Sequence, residues 1–375
     1  MNTWLYPDDL WASPDEALRC VSGQPITTSY IGSKRKLLEW IWRAVPSDIT
    51  SILDAFSGSS SVAYMLKAKG LGVSCCDRLA YAYHVGRALV ENDTVTLSDA
   101  RIGWLLLPSR DASDFVQRIF HGKYFRNGVH TVIDQVRSRI GQLSNRFERS
   151  LALCALGKTC IQGKRGFGHF STSKVNDEGD TPAQFRDRFA DICTALNAMV
   201  FAGARRCRAL HGDVARIAPR LRPQAAYFDP PYATEYSCQS YENAYHFVEG
   251  LMTCWRGRRI IMDSTTRHFE MPQGITRTTA DEFFRRFLTA SQHIPAWLLS
   301  YRDHSIPDER GIKALLRQFG RDSRMRSKRH RYTLAPKAAN NDAWERLFVC
   351  WPAGSRSHAE VLRDELTDCL MGDAA

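Results

Sequence analysis

Short apolar runs alternate with amphipathic stretches in two separated parts of the chain. Ser51-Ile52-Leu53-Asp54-Ala55-Phe56 predicts a buried strand, and after the Ser57-Gly58-Ser59-Ser60 turn a helix runs from Ser61 to about Lys69, stopped by Gly70. Leu71 to Cys76 predicts a second strand ending at Asp77, followed by a helix through about Glu91. A strand–helix–strand–helix unit is the signature of a parallel sheet covered by helices. The alternation resumes with a strand at Ala225-Ala226-Tyr227-Phe228, ending at Asp229, and a helix from Asn243 to Cys254. Strands at Arg259–Met262, Ala296–Tyr301 and Leu347–Cys350 follow, with helices from Asp281 to Ala290 and from Asp308 to Phe319.

Between the two parts the period changes. Val129, Val132, Ile133, Val136 and Ile140 fall at helical spacing, as do Leu151, Cys154, Ala155 and Leu156. The expected architecture is α/β: one sheet with helices on both faces and an inserted, mainly helical domain. The boundaries read as an N-terminal extension over 1–24, a first sheet part over 25–94, the insertion over 95–205, a second sheet part over 206–352 and a tail over 353–375.

Composition narrows the class. The 375 residues are 44% hydrophobic and 11% aromatic, enough large side chains for a sizeable core, which excludes wholesale disorder. No apolar run approaches the ~18 residues a membrane span needs, and the first residues lack a basic segment followed by an apolar stretch. A cytoplasmic protein is the expectation. The 11 cysteines are odd in number and form no Cys-x-x-Cys pair, which points to reduced, mostly buried thiols and to no metal. A net charge of +11 favours polyanionic partners, because Lys and Arg neutralise phosphates and release counterions.

Two constellations carry chemistry. In Asp54-Ala55-Phe56-Ser57-Gly58-Ser59-Ser60-Ser61-Val62 a strand ends, small residues turn and a helix begins, so backbone can approach a ligand closely. Asp77, at the end of the next strand, is placed to hydrogen-bond ribose hydroxyls. The loop carries no base, which disfavours a pyrophosphate and suits a ligand with a ribose and an amine, such as S-adenosylmethionine. The second constellation is Asp229-Pro230-Pro231-Tyr232, directly after an apolar strand. Two prolines rigidify the turn and remove two backbone donors. The carboxylate and the Pro230 carbonyl can then accept the N–H groups of an exocyclic amine, while the Tyr232 ring can stack on a flat base.

These residues resemble an adenine-N6 DNA methyltransferase of the Dam-like family, in the alpha-group motif order. Tyr30-Ile31-Gly32-Ser33-Lys34 is similar to its N-terminal aromatic-x-Gly-Gly-Lys segment, Asp54 to Val62 to its cofactor loop, Cys76-Asp77 to its second motif, and Asp229 to Tyr232 to its Asp-Pro-Pro-Tyr. Leu299-Ser300-Tyr301 and the helix after it also look like the family's C-terminal part. The resemblance implies a Rossmann-like methyltransferase sheet, S-adenosyl-L-methionine as cofactor and double-stranded DNA as substrate. It implies catalytic roles for Asp229, Pro230, Pro231 and Tyr232. Tyr30, Lys34, Asp54, Phe56, Gly58, Asp77, Asp213 and Asp229 would contact the cofactor, with Lys34 near its methionine carboxylate. The inserted part would recognise DNA, using Lys164 and Arg165 of a basic aromatic loop, while Arg324, Arg326, Lys328, Arg329 and Arg331 of the basic run Arg321 to Arg331 would add phosphate contacts. For both segments a solvated loop is the alternative reading.

The resemblance is incomplete at Ser60, where the family has a second glycine; if that position needs φ > 0, serine costs roughly 1–2 kcal/mol. The implied biology is the modification enzyme of a restriction-modification or related defence system, with or without a separately encoded endonuclease, or an orphan methylase. Methylation of RNA, of cytosine N4 or of a protein glutamine stays open, as does a catalytically silent DNA-binding subunit.

Overall fold

The computed structural model describes residues 33–163, 170, 179–233, 241–270, 275–329 and 344–355. Among these, seven strands form one sheet: β1 Ser51–Asp54, β2 Gly72–Asp77, β3 Arg208–His211, β4 Ala225–Phe228, β5 Ala296–Arg302, β6 Arg321–Arg329 and β7 Trp344–Pro352. Their order is β3-β2-β1-β4-β5-β7-β6. The first five pair in parallel, and β7 runs antiparallel to both β5 and β6. Strands β1 and β4 are almost wholly buried, as central parallel strands covered on both faces must be. Strand order reverses between them, which opens a crevice at their C-terminal ends. Asp54 closes β1 and Asp229 follows β4, so both acids stand at that crevice.

Among the described residues twelve α-helices surround the sheet: α1 Leu38–Trp42, α2 Ser61–Ala68, α3 Ala80–Gly86, α4 Asp99–Leu106, α5 Phe115–Ile119, α6 Val129–Gly141, α7 Arg146–Gly163, α8 Pro182–Asn197, α9 Val214–Ile217, α10 Tyr241–Thr253, α11 Ala280–Ala290 and α12 Glu309–Gln318. Alternate strand residues feed two apolar cores. Ile52, Val73, Tyr227, Leu298 and Val349 join one core with α1 to α8 and α10; Leu53, Phe228, Leu299 and Phe348 join the other with α9, α11 and α12. The helical middle, α4 to α8, therefore shares a core with one sheet face. Close approach there requires glycine: a Cβ on Gly157 of α7 would lie 2.6 Å from the Tyr81 ring and 3.0 Å from Val248.

Two sequence readings need correction, and one strand escapes them. Arg259–Met262 is no strand; it makes one isolated bridge between Ile260 and Phe269, with Ile261 and Met262 exposed. The reason is topological, since β4 is already paired with β1 on one side and β5 on the other. The basic run is no loop over its first nine residues but the edge strand β6, where charge discourages further strand pairing. Within it Arg321 is buried, donates to the carbonyls of Pro295, Gln292 and Ile294 and lies over the Trp297 ring, so its role is structural. Strand β3, on the opposite edge, escapes the sequence pattern because only Ala209 and Leu210 of its four residues are apolar.

Candidate active site

The loop between β1 and α2 is a tight turn with two left-handed residues, Gly58 at φ 47° and Ser60 at φ 57°. Ser57 N–H donates to the Cys76 carbonyl, Gly58 N–H to the Asp77 carboxylate (2.8 Å) and Tyr64 N–H to the Ser60 carbonyl. Asp77 also accepts from Leu79 N–H at 2.8 Å, so one carboxylate ties the loop to the start of α3. The same end of α3 is held by Glu249 of α10, which accepts from Ala80 and Tyr81 N–H. Ser60 occupies the left-handed conformation that favours glycine, and its buried hydroxyl has no hydrogen-bond partner among the described residues. The departure from the family's glycine thus falls at a position that needs φ > 0.

Asp54 is 1% exposed, and neither carboxylate oxygen makes a well-formed hydrogen bond among the described residues. Burial, together with the charges of Asp229 and Asp77, pushes its pKa up to about 8, against a weaker opposing pull from the backbone of Ala63 and Phe56. Phe56 packs edge-on against Phe287 of α11 at 5.3 Å. Asp213 caps α9 through Ala215 N–H and pairs with Arg286 of α11.

Beneath the diproline corner lies a buried charged network. Lys34 Nζ donates to Asp229 Oδ1 at 2.7 Å and to the Tyr232 hydroxyl at 2.5 Å, and stands 3.4 Å from Glu345 Oε1. The Tyr232 hydroxyl lies 3.0 Å from both Asp229 Oδ1 and Glu345 Oε1. Ser300 of β5 donates to the same Glu345 oxygen at 2.6 Å. Burial, the charge of Glu345 and the opposing charge of Lys34 leave the Asp229 pKa near 6, with burial the largest contribution and the lysine lowering it. For Lys34, burial works against the ammonium, but Asp229 and Glu345 together hold its pKa above the ordinary value. The Tyr232 ring is buried, edge-on to Tyr301 at 5.2 Å.

The structure therefore brings Lys34, Asp229 and Tyr232 into direct contact, with Asp54 and Asp77 close enough to act on one another electrostatically. Lys34 is thus engaged with Asp229 of the diproline corner. Tyr30, Lys164, Arg165 and Arg331 lie outside the described residues. Of the basic run, Arg324, Arg326 and Lys328 pair with Val349, Leu347 and Glu345 of β7 and so share their sheet face, whereas Arg329 points to the other. Sequence reasoning does not single out Glu345 or Ser300 as individual site residues. An acid two residues ahead of the apolar run Leu347–Cys350 of β7 is the available signal for Glu345.

The comparisons agree with this geometry. The family model for D12 class N6 adenine-specific DNA methyltransferases matches residues 30–254. The chain is also 25% identical over 337 residues, 86% of its own length and 96% of the relative's, to a Type II methyltransferase, M2.HphI, of Haemophilus parahaemolyticus. By sheet order, corner and family match, the chain belongs to the D12 class N6 adenine-specific DNA methyltransferases and is an enzyme that methylates adenine at N6 in DNA.

Proposed function

We propose that the methyl donor is S-adenosyl-L-methionine and that the substrate is an adenine flipped out of double-stranded DNA. The observation that carries this reading is the cluster of Asp54, Asp77 and Asp229 at the crevice, whose mutual repulsion helps to keep Asp54 protonated near neutrality. Such a pocket fits a ligand bearing an ammonium and a sulfonium, and Asp54, Phe56, Gly58 and Asp77 would hold it, with Tyr30 and Asp213 as further contacts. When bound, that cofactor supplies an electrophilic methyl on a sulfonium.

The chain's own residues supply the rest. The lone pair of N6 is delocalised into the ring, so nucleophilicity requires the nitrogen to become tetrahedral and transiently positive. Asp229, as carboxylate, and the Pro230 carbonyl accept the amine hydrogens and favour that geometry. Lys34 and Tyr232 both engage Asp229 Oδ1, which leaves its other oxygen for the amine. Pro231 stiffens the turn. Anchoring of the Tyr232 hydroxyl by Glu345 fixes the ring plane on which a base can stack. Stacking of roughly 1–3 kcal/mol per base offsets part of the few kcal/mol that extrusion costs.

The helical segment 95–205 reads sequence in this proposal, and β6 contributes phosphate contacts on the face it shares with Glu345. The biological setting is the modification arm of a restriction-modification system in the cytoplasm, alongside a separately encoded endonuclease. The test is incubation with tritiated cofactor and DNA, followed by identification of the labelled base. Asp229→Ala abolishes labelling while DNA binding largely survives; undiminished labelling in that variant rejects the assignment.

A further inference from the structure

One strand beyond the catalytic corner, at the end of β5 and the start of β7, the surface opens into a cavity of about 450 Å³. Its volume falls in the range of small-ligand sites. Tyr301, Ile312 and Phe348, all almost fully buried, supply apolar walls. Asp303 and Ser305 supply polar ones. Asp303 is 5% and Ser305 2% exposed, yet Asp303 Oδ1 and Ser305 Oγ have no hydrogen-bond partner among the described residues. Buried polar atoms left unpaired oppose folding, so two of them lining one cavity point to a ligand that satisfies them.

The other charges of the lining narrow that ligand. Glu309 is engaged by Lys313 and Arg346, and Asp308 caps α12 through Gly311 N–H. The acceptor left is Asp303, whose Oδ2 lies 3.6 Å from His304 Nε2 and whose Oδ1 is unpaired among the described residues. The Ser305 hydroxyl, Arg302 and Arg310 line the rest. A flat ring with N–H or amino donors, attached to an anionic group, matches apolar walls, a buried carboxylate and neighbouring guanidinium groups together. That is the chemistry of a nucleotide.

The cavity is also joined to the catalytic corner. Tyr301, which lines it, is edge-on to Tyr232 at 5.2 Å. The Tyr301 hydroxyl donates to the Ile306 carbonyl, and Ile306 N–H donates to the carbonyl of Ala233, the residue after the tetrapeptide. We propose that this cavity receives a second nucleotide of the substrate strand, next to the methylated adenine, and that Asp303 discriminates its base by accepting that base's N–H donors. The inference rests on the DNA-methylation reading above.

The test expresses the wild type, Asp303→Asn and the Asp303→Ala/Ser305→Ala double variant in a bacterial host without adenine methylation. Methylated positions are then read by single-molecule sequencing, and thermal melts confirm that each variant folds. The wild type methylates adenine in a defined context. Both variants still methylate adenine, but discrimination at one adjoining position falls about 5- to 150-fold, which is what one direct hydrogen-bonded base readout is worth. Asp303→Asn, closest in shape, reads the same prediction if the double variant fails to fold. An unchanged context at every adjoining position in a folded variant overturns the subsite and leaves the methylation reading intact. Absence of adenine methylation by the wild type counts against both.

Discussion

Glu345 offers the sharpest test of how the site is built. It is fully buried, and one oxygen accepts from Ser300 at 2.6 Å, faces the Tyr232 hydroxyl at 3.0 Å and lies 3.4 Å from Lys34 Nζ. Glu345→Ala leaves the Ser300 hydroxyl buried without that acceptor, at about 1–3 kcal/mol, while the Tyr232 hydroxyl keeps Asp229 Oδ1 at 3.0 Å. It also lets Tyr232 and Lys34 shift, and displacement of this order lowers kcat about 10- to 100-fold. Glu345→Gln separates hydrogen bonding from charge: the amide oxygen still accepts from both hydroxyls, while the negative charge is gone. That charge attracts Lys34 by about 5 kcal/mol in gross Coulomb energy at an effective dielectric of ~20, but it also repels Asp229, and Lys34 keeps its shorter contact with Asp229 at 2.7 Å. The Gln variant therefore folds and turns over. Its diagnostic is the pH profile. In the proposed reaction Asp229 must be ionised to accept the amine, and its pKa near 6 is held up by burial and, after it, by Glu345. Removing the like charge lowers that pKa, so the acid limb of kcat/KM moves to lower pH and activity at pH 5.5 rises relative to pH 8. An acid limb that stays in place, or an Ala variant with wild-type kcat, refutes the argument.

Three more outcomes are expected. Ser60→Gly relieves a left-handed serine whose hydroxyl is unpaired among the described residues, and stability by urea unfolding rises by about 1 kcal/mol; no gain contradicts the strain. Asp54 has a folded pKa of about 8 against an ordinary carboxylate value of 3.8, so the folded chain holds a proton that the unfolded chain has released between those values. Stability accordingly falls as pH rises through that window, and Asp54→Asn flattens this slope in unfolding midpoints measured at pH 5 and pH 8; an unaltered slope sinks the assignment. Neutralising Arg324, Arg326, Lys328 and Arg329 together reduces the salt dependence of DNA binding, by a slope of about 0.9 for each phosphate no longer neutralised, and a constant slope removes β6 from the interface.

What the chain disclosed by itself follows from how its residues are buried. Strands β1, β4 and β5 announce themselves because burial on both faces demands apolar runs, as in Ala225–Phe228, while β2 and β7 carry shorter ones. Edge strands carry no such demand: β3 has charged or polar ends and β6 is mostly Arg, Lys and Ser, so neither has the pattern of a strand. Conversely, Arg259–Met262 has strand-like residues, but both sides of the preceding strand β4 are already paired. The site divides in the same way. Asp229 to Tyr232 is a local tetrapeptide and can be read directly. The Lys34–Asp229 contact joins residues 195 apart, and the Tyr232–Glu345 contact joins residues 113 apart. No local pattern encodes either; they follow from β7 inserting beside β5 and from the N-terminal segment returning to the crevice.

The placement of charge explains why these distant residues meet. In the proposed reaction Asp229 is an acceptor, yet a carboxylate buried beside Asp54 and Glu345 would take up a proton and cease to accept from an amine. Lys34 prevents this by bonding Oδ1 and opposing the rise caused by burial, so that the pKa comes to rest near 6 and the group remains ionised at neutral pH. Glu345 in turn keeps the lysine charged and in place without occupying the crevice, because it reaches Lys34 from β7 and is anchored by Ser300. Asp54 has no such cation beside it among the described residues and stays protonated up to about pH 8. In the proposed reaction one lysine shared between two acids leaves the acceptor for the amine ionised at neutral pH, and Asp54, neutral there, is the acid that a cationic ligand in the crevice would ionise.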